Sequence, residues 1–228
     1  MRGSIIGIGV GPGDGELITL KAFYKIKEAD IIFVPGKKPE ESVAYRIVKS
    51  VYPEIVNKKV MAVDMPMTRN REILTEAHHL AVSEIKKYLE QGDSVVFLTL
   101  GDATIYSTYL YLHAILLKEG YDASILNGIP SFCATAALLN IGLAERDQPL
   151  HILPGADSLE EALQLSGTRI LMKTGRHLQN VKKRLLESKA DIYFVENCGM
   201  EQERVYVGAE NIPEESGYFS LLIIKEKE

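Results

Sequence analysis

Ser4-Ile5-Ile6-Gly7-Ile8-Gly9-Val10-Gly11-Pro12-Gly13-Asp14-Gly15 begins as an apolar strand and runs into a glycine loop, the opening of a parallel α/β sheet. The loop resembles the G-x-G-x-x-G dinucleotide fingerprint and breaks it at the last glycine. Counted from Gly7, the final glycine position is Pro12, which has a fixed φ and no N–H to offer a pyrophosphate. Counted from Gly9, it is Asp14. The next helix also begins late: Thr19 is the best N-cap, ahead of Leu20, Phe23, Tyr24 and Ile26. Several residues therefore separate the loop from the helix N-terminus that a phosphate site would use. The loop is expected to approach a ligand closely without gripping a diphosphate.

Outward from this stretch, strand-like apolar runs occupy residues 4–8, 30–34, 59–63, 94–100 and 123–126, with helical periodicity between them. That alternation predicts a parallel sheet covered by helices. The clearest helix carries Ile73, Leu74, Ala77, Leu80, Ala81, Ile85, Tyr88 and Leu89 at three-to-four spacing and stops at Gly92. Beyond about residue 148 the strands crowd together, at 151–153, 169–173, 191–195, 204–207 and 220–224. Two helices intervene, one from Ser158 with Glu161 completing a capping box, the other with Leu178, Val181 and Leu185 on one face. Fewer crossover helices imply antiparallel pairing. The expected fold is α/β, with a parallel-sheet N-terminal domain over residues 1–120 and a mixed-sheet C-terminal domain over 121–228; the boundary can fall anywhere from Lys118 to Pro149.

The composition, 46% hydrophobic and 25% charged over 228 residues, is that of an ordered globular chain. A net charge of -5, no Trp and six Phe argue against a nucleic-acid surface, so an anionic ligand must meet a local basic cluster. Cys133 and Cys198 lie far apart with no C-x-x-C spacing, which points to a reducing compartment and to neither a disulfide framework nor a zinc site. His78 and His79 are adjacent on a helix and diverge, so no metal site is expected there. No apolar run approaches the roughly 18 residues of a membrane span, and the chain starts directly in a strand; a cytoplasmic protein without a membrane partner is expected.

Two further segments follow strand ends, where open α/β sheets hold ligands. The first is Gly101-Asp102-Ala103-Thr104-Ile105-Tyr106-Ser107. Gly101 permits close approach, Asp102 offers a carboxylate, and Tyr106 and Ser107 add hydroxyls; the plain alternative is that Asp102 only caps the next helix. The second is Asn127-Gly128-Ile129-Pro130-Ser131-Phe132-Cys133, leading into the small residues Ala134, Thr135, Ala136 and Ala137. There the alternative is an ordinary turn with Ser131 as N-cap.

Together these segments resemble the S-adenosylmethionine-dependent corrin and porphyrin methyltransferase, or tetrapyrrole methylase, family over essentially the whole chain. Gly9-Val10-Gly11-Pro12-Gly13-Asp14 with Leu17, Thr19, Leu20 and Ala22 matches its first signature, and Gly101-Asp102 through Tyr106-Ser107 its second. Met65-Pro66-Met67-Thr68-Arg69-Asn70-Arg71-Glu72, Leu98 through Tyr109, and Ile129 through Cys133 are most similar to precorrin-2 and cobalt-factor II C-20-methyltransferases of cobalamin biosynthesis. The resemblance implies two α/β domains with S-adenosylmethionine folded in the cleft between them, held mostly by main chain. The cofactor contacts it implies are Pro12, Gly101, Asp102, Ile105, Pro130 and Ser131, with Met172 and Cys198 in the second domain. Ala103, Asn127 and Cys198 depart from the family pattern, which has proline at the first two positions and commonly glycine at the third.

The implied reaction is transfer of a methyl group to a meso carbon of the macrocycle, an enamine-like nucleophile, so no nucleophilic side chain is required. Asp102 and Tyr106 are the candidates for handling the proton that must later leave. The polycarboxylate substrate, precorrin-2 or cobalt-factor II, calls for basic residues past strand ends: Lys37 with its neighbour Lys38, Arg46, Arg69 and Arg71. For Lys37 and Lys38 taken singly, solvated surface charge is the simpler account. Any cobalt would arrive within the substrate, and a homodimer is a family expectation. The rival readings are methylation of another ring carbon, a nucleotide-dependent oxidoreductase, and a non-catalytic scaffold of the same fold.

Overall fold

Along the first five strands successive side chains enter opposite cores, as the near-continuous apolar runs require of a sheet buried on both faces. A computed structural model describes residues 2–68, 70–175 and 178–226, divided into two compact units, Met1–Pro130 and Ser131–Glu228. In the first unit β1 (Ser4–Gly9), β2 (Ile31–Pro35), β3 (Lys59–Val63), β4 (Ser94–Thr99) and β5 (Asp122–Leu126) form one sheet in the order β3-β2-β4-β1-β5. Every pairing in it is parallel. On one face Ile5, Phe33, Val95 and Phe97 pack with α3 (Arg71–Leu89) and α4 (Tyr109–Lys118) through residues such as Ile85 and Leu112. On the other, Ile8, Ile32, Val96 and Leu98 pack with α1 (Leu20–Glu28) and α2 (Val43–Val51) through Ile26 and Val48.

The order of strands creates a switch point. β1 and β4 are neighbours, yet β1 leads to α1 on one face and β4 to α4 on the other. Chains leaving adjacent strands in opposite directions open a crevice at their carboxyl ends, the usual ligand position in such sheets.

In the second unit β6 (Leu150–Pro154), β7 (Thr168–Met172), β8 (Asp191–Glu196), β9 (Arg204–Val207) and β10 (Ser220–Lys225) run in the order β6-β7-β10-β8-β9. Only β6 and β7 pair in parallel, which makes this sheet mixed. Leu153, Leu171, Phe194 and Leu222 face α6 (Leu159–Gln164) and α7 (Leu178–Leu186) across one core. α5 (Ser131–Leu138) opens the unit.

The division falls after Pro130, within the range Lys118 to Pro149 open from the sequence, because β5 adds to β1 and completes the first sheet. Two capping readings need correction. The capping box at Ser158 does not form: a 3-10 turn over Ala156–Ser158 precedes α6, holding Ser158 at φ -88° and ψ 6°, outside the extended backbone of an N-cap. Its hydroxyl instead donates to the Pro154 carbonyl at 3.1 Å. Ser131 is the first residue of α5 and not a residue preceding it.

Candidate functional site at the carboxyl edge of the first sheet

Three loops leave the ends of β1, β4 and β5 side by side. The first two are joined by main chain: Val10 N–H donates to the Thr99 carbonyl at 3.0 Å, and Gly11 and Gly101 exchange N–H···O bonds at 3.1 and 2.7 Å. Their contact with the third excludes side chains. A Cβ placed on Gly9 would lie 2.5 Å from the Gly101 oxygen and 2.6 Å from the Gly128 nitrogen, and one on Gly128 would lie 2.1 Å from the Gly101 oxygen. Gly101, at φ +71°, differs: no atom lies within 4 Å of its Cβ direction, so its Cα faces open space.

Asp102 ties the second loop to itself and to the third. It is buried, at 6% exposure. One carboxylate oxygen, Oδ1, accepts from the Thr104 N–H at 2.7 Å and from the Thr104 hydroxyl; Oδ2 accepts from the Gly128 N–H at 3.0 Å. Thus Asp102 serves neither α4, which starts at Tyr109, nor open solvent.

Gly7, the first glycine of the apparent fingerprint, faces a ring and not a ligand. A Cβ there would fall 2.0 Å from the Tyr109 ring. The fully buried Tyr109 passes over Gly7 and donates its hydroxyl to the Ser124 carbonyl of β5 at 3.0 Å, and burial raises the phenol far above its ordinary pKa. The Ser107 hydroxyl lies 3.2 Å from the Thr99 hydroxyl and accepts from the Tyr109 N–H at 3.2 Å, anchoring the start of α4 beneath the second loop.

The opening loop offers no phosphate cradle. Asp14 accepts from the Glu16 N–H at 2.9 Å and caps a single 3-10 turn, Gly15–Leu17. Thr19 then caps α1 as expected, accepting from the Ala22 N–H at 3.2 Å. Helix N–H groups are thereby directed to Asp14 and Thr19 side chains, and Pro12 brings no donor.

Of the remaining candidates in this unit, Ile105 and Pro130 are half-buried. Tyr106 is 46% exposed and holds φ at 49°, a backbone shape uncommon for an aromatic residue. Lys37 and Lys38 are exposed after β2, Arg46 is exposed on the first turn of α2, and Arg71 is exposed at the start of α3. The Gly36 N–H donates to the Val63 carbonyl at 2.9 Å, so the Lys37 segment and the segment leading to Arg71 depart from neighbouring points. Arg69 lies outside the described residues.

Within the second unit, Met172 ends β7 and Cys198 follows β8, the two strands that flank β10. The Lys173 N–H donates to the Ser220 carbonyl at 2.9 Å and the Asn197 N–H to the Phe219 carbonyl at 2.8 Å, which brings both turns to the start of β10. Lys173 and Asn197 hold φ at 63° and 53°. Burial raises the Cys198 thiol pKa, and the Glu203 carboxylate adds to the rise. Ser131 is half-buried at the head of α5. Among the described residues, no three His, Cys, Asp or Glu side chains are grouped to hold a metal ion.

Sequence reasoning chose the three loops but missed what joins them. Thr104 and the Gly128 amide have no motif of their own; the available signal was a glycine at or just past each of three strand ends, at Gly9, Gly101 and Gly128.

A family model, Tetrapyrrole (Corrin/Porphyrin) Methylases, matches residues 4–211. The chain belongs to this family. It is 38% identical over 227 residues to the "Probable cobalt-precorrin-2 C(20)-methyltransferase" of Methanocaldococcus jannaschii, covering 97% of this chain and 95% of that one. It is 26% identical to the precorrin-2 C(20)-methyltransferase of a Sinorhizobium species, again over 97% and 95% of the two chains. Among solved structures, uroporphyrin-III C-methyltransferase from Thermus thermophilus complexed with S-adenosylhomocysteine has the same fold, with a TM-score of 0.72, 23% identity and 98% of each chain covered. For a tetrapyrrole methylase, the lack of a phosphate cradle in the opening loop agrees with a cofactor that carries no phosphate.

Proposed function

We propose that the protein methylates C-20 of precorrin-2 or of its cobalt-containing counterpart, cobalt-factor II, in cobalamin biosynthesis, using S-adenosylmethionine. The observation that carries this is full-length likeness to C(20)-methyltransferases. The site chemistry fits the co-substrate: a main-chain edge with an open face at Gly101, no directed phosphate donors, and a buried carboxylate engaged by the loops themselves.

The bound sulfonium supplies an electrophilic methyl group. The chain's part is alignment: the loops at Pro12, Gly101, Asp102, Ile105 and Pro130, with Ser131, Met172 and Cys198 as contacts carried over from the family, hold the methyl donor and exclude water. Reaction follows when the donor and the ring carbon are held about 3–3.5 Å apart in line. Lys37, Arg46, Arg69 and Arg71 are assigned to the substrate carboxylates, as charge-assisted and, for arginine, bidentate partners. Tyr106, exposed at the end of the second loop, is assigned to relay the proton leaving the methylated carbon to solvent, its hydroxyl accepting that proton as it passes its own to water.

Incubation with S-adenosylmethionine and each substrate, followed by mass spectrometry and NMR, tests the reading. A single added methyl at C-20 is expected; a methyl at another carbon, or turnover of neither substrate, overturns it. The resemblance also supports a homodimer, which sedimentation of the purified chain checks, and the cysteine pattern supports a cytoplasmic setting. Among the described residues, no helix is long and apolar enough to cross a membrane.

A further inference from the structure

Asp102 stands in the second loop as the one buried carboxylate among the three loops, the natural choice for a base. Its geometry assigns it other work. Both carboxylate oxygens accept hydrogen bonds from the chain: Oδ1 from the Thr104 N–H at 2.7 Å and the Thr104 hydroxyl, Oδ2 from the Gly128 N–H at 3.0 Å. The residue is 6% exposed. Three of the roughly four acceptor positions of the carboxylate are thus taken by the chain, and taking up a proton would weaken its bonds to part-buried donors that hold the two loops together, which is costly.

The bond to Gly128 joins loops that are 26 residues apart in sequence. The second loop is in turn locked to the first by the paired bonds between Gly11 and Gly101. At this junction Gly9, Gly101 and Gly128 approach too closely for any Cβ on Gly9 or Gly128. Backbone contact alone gives closeness without direction; the carboxylate supplies direction, because its two oxygens fix the orientation of two separate peptide groups. Resting on the proposed methyltransferase reading, we propose that Asp102 is a positioning residue. Its carboxylate pins the β4 and β5 loops into the single surface that receives S-adenosylmethionine, and it takes no part in proton transfer.

The Asn variant is a sharp probe. Asp102→Asn keeps an oxygen for Thr104 but turns an NH2 toward the Gly128 N–H, setting donor against donor. Hydrogen exchange of the Gly128 amide, followed by NMR in the ligand-free protein, reads the pin without any cofactor. Protection is expected in the unaltered chain and its loss in Asp102→Asn; a fast-exchanging Gly128 amide in the unaltered chain overturns the proposal.

Calorimetry with S-adenosylhomocysteine and steady-state kinetics read the consequence. Loss of one charge-assisted buried bond predicts binding weaker by roughly ten- to a hundred-fold. The kinetic defect is expected to fall more on KM for S-adenosylmethionine than on kcat, with the shape of the pH profile retained. Unchanged S-adenosylhomocysteine affinity with a collapsed kcat and an altered acid limb would instead make Asp102 a base. Thr104→Val, which keeps the carboxylate and removes one donor, should shift affinity in the same direction by less; if Asp102→Asn fails to fold, an unshifted Thr104→Val overturns the proposal. Failure of the unaltered protein to bind S-adenosylhomocysteine would defeat the methyltransferase reading instead, while the exchange experiment still decides the pin.

Discussion

Gly128 has no room for a side chain. A Cβ there would sit 2.1 Å from the Gly101 oxygen and 2.6 Å from the Gly9 carbonyl carbon, both backbone atoms that no rotamer change can move aside. Gly128→Ala should therefore cost about 1–3 kcal/mol by overpacking and weaken S-adenosylhomocysteine binding with it, as thermal melts and calorimetry would measure. The basic residues act differently: Lys37, Arg46 and Arg71 are exposed, and their assigned partner is the substrate. Arg69→Glu is expected to raise KM for the tetrapyrrole without weakening S-adenosylmethionine binding, and unchanged kinetics would remove Arg69 from the substrate site. Arg71, exposed at the head of α3, should follow the same pattern. At this scale the sequence exposed candidates by type: Asp102 was readable as a carboxylate after a strand, but its duty was not, because its acceptor geometry depends on a glycine amide two elements later.

Elements are where sequence periodicity speaks most clearly, and where caps depend on local backbone. Asn70 accepts from the Glu72 and Ile73 N–H groups at 2.9 and 3.4 Å and starts the 19-residue α3. Asn70→Ala should lower stability by about 1 kcal/mol, or roughly 2–4 °C in Tm for a chain of this size. The periodic apolar positions from Ile73 to Leu89 located that helix directly. Ser158 and Glu161 carried an equally clear capping signature, yet the preceding 3-10 turn holds Ser158 in the wrong conformation. A cap is set by the φ and ψ of one residue, which its neighbours in the fold decide. The glycine loops show the same division. Their positions after strands were legible, whereas Gly7 answers to the Tyr109 ring packed over it and Gly9 to another loop's backbone.

At the scale of the whole molecule, the chemistry of the edge separates rival cofactors. Asp14 and Thr19 cap the turns that follow the opening loop, and Pro12 has no N–H, so a pyrophosphate would meet few directed donors. Titration with S-adenosylhomocysteine should show binding and titration with NAD should not; the reverse result would restore the oxidoreductase reading. Alternation of strands and helices, then crowding of strands, determined from sequence alone that a parallel α/β unit precedes a mixed one, because buried faces impose their period on every residue. The break at Pro12 excluded the standard fingerprint for the same local reason, the covalent geometry of proline. Only tertiary structure decided the order in which the strands pair, with β5 beside β1, that Asp102 reaches Gly128, and that three separate glycines converge. Strand order and loop contact join residues distant in the chain, and no period or spacing along the sequence encodes which distant partner each will meet.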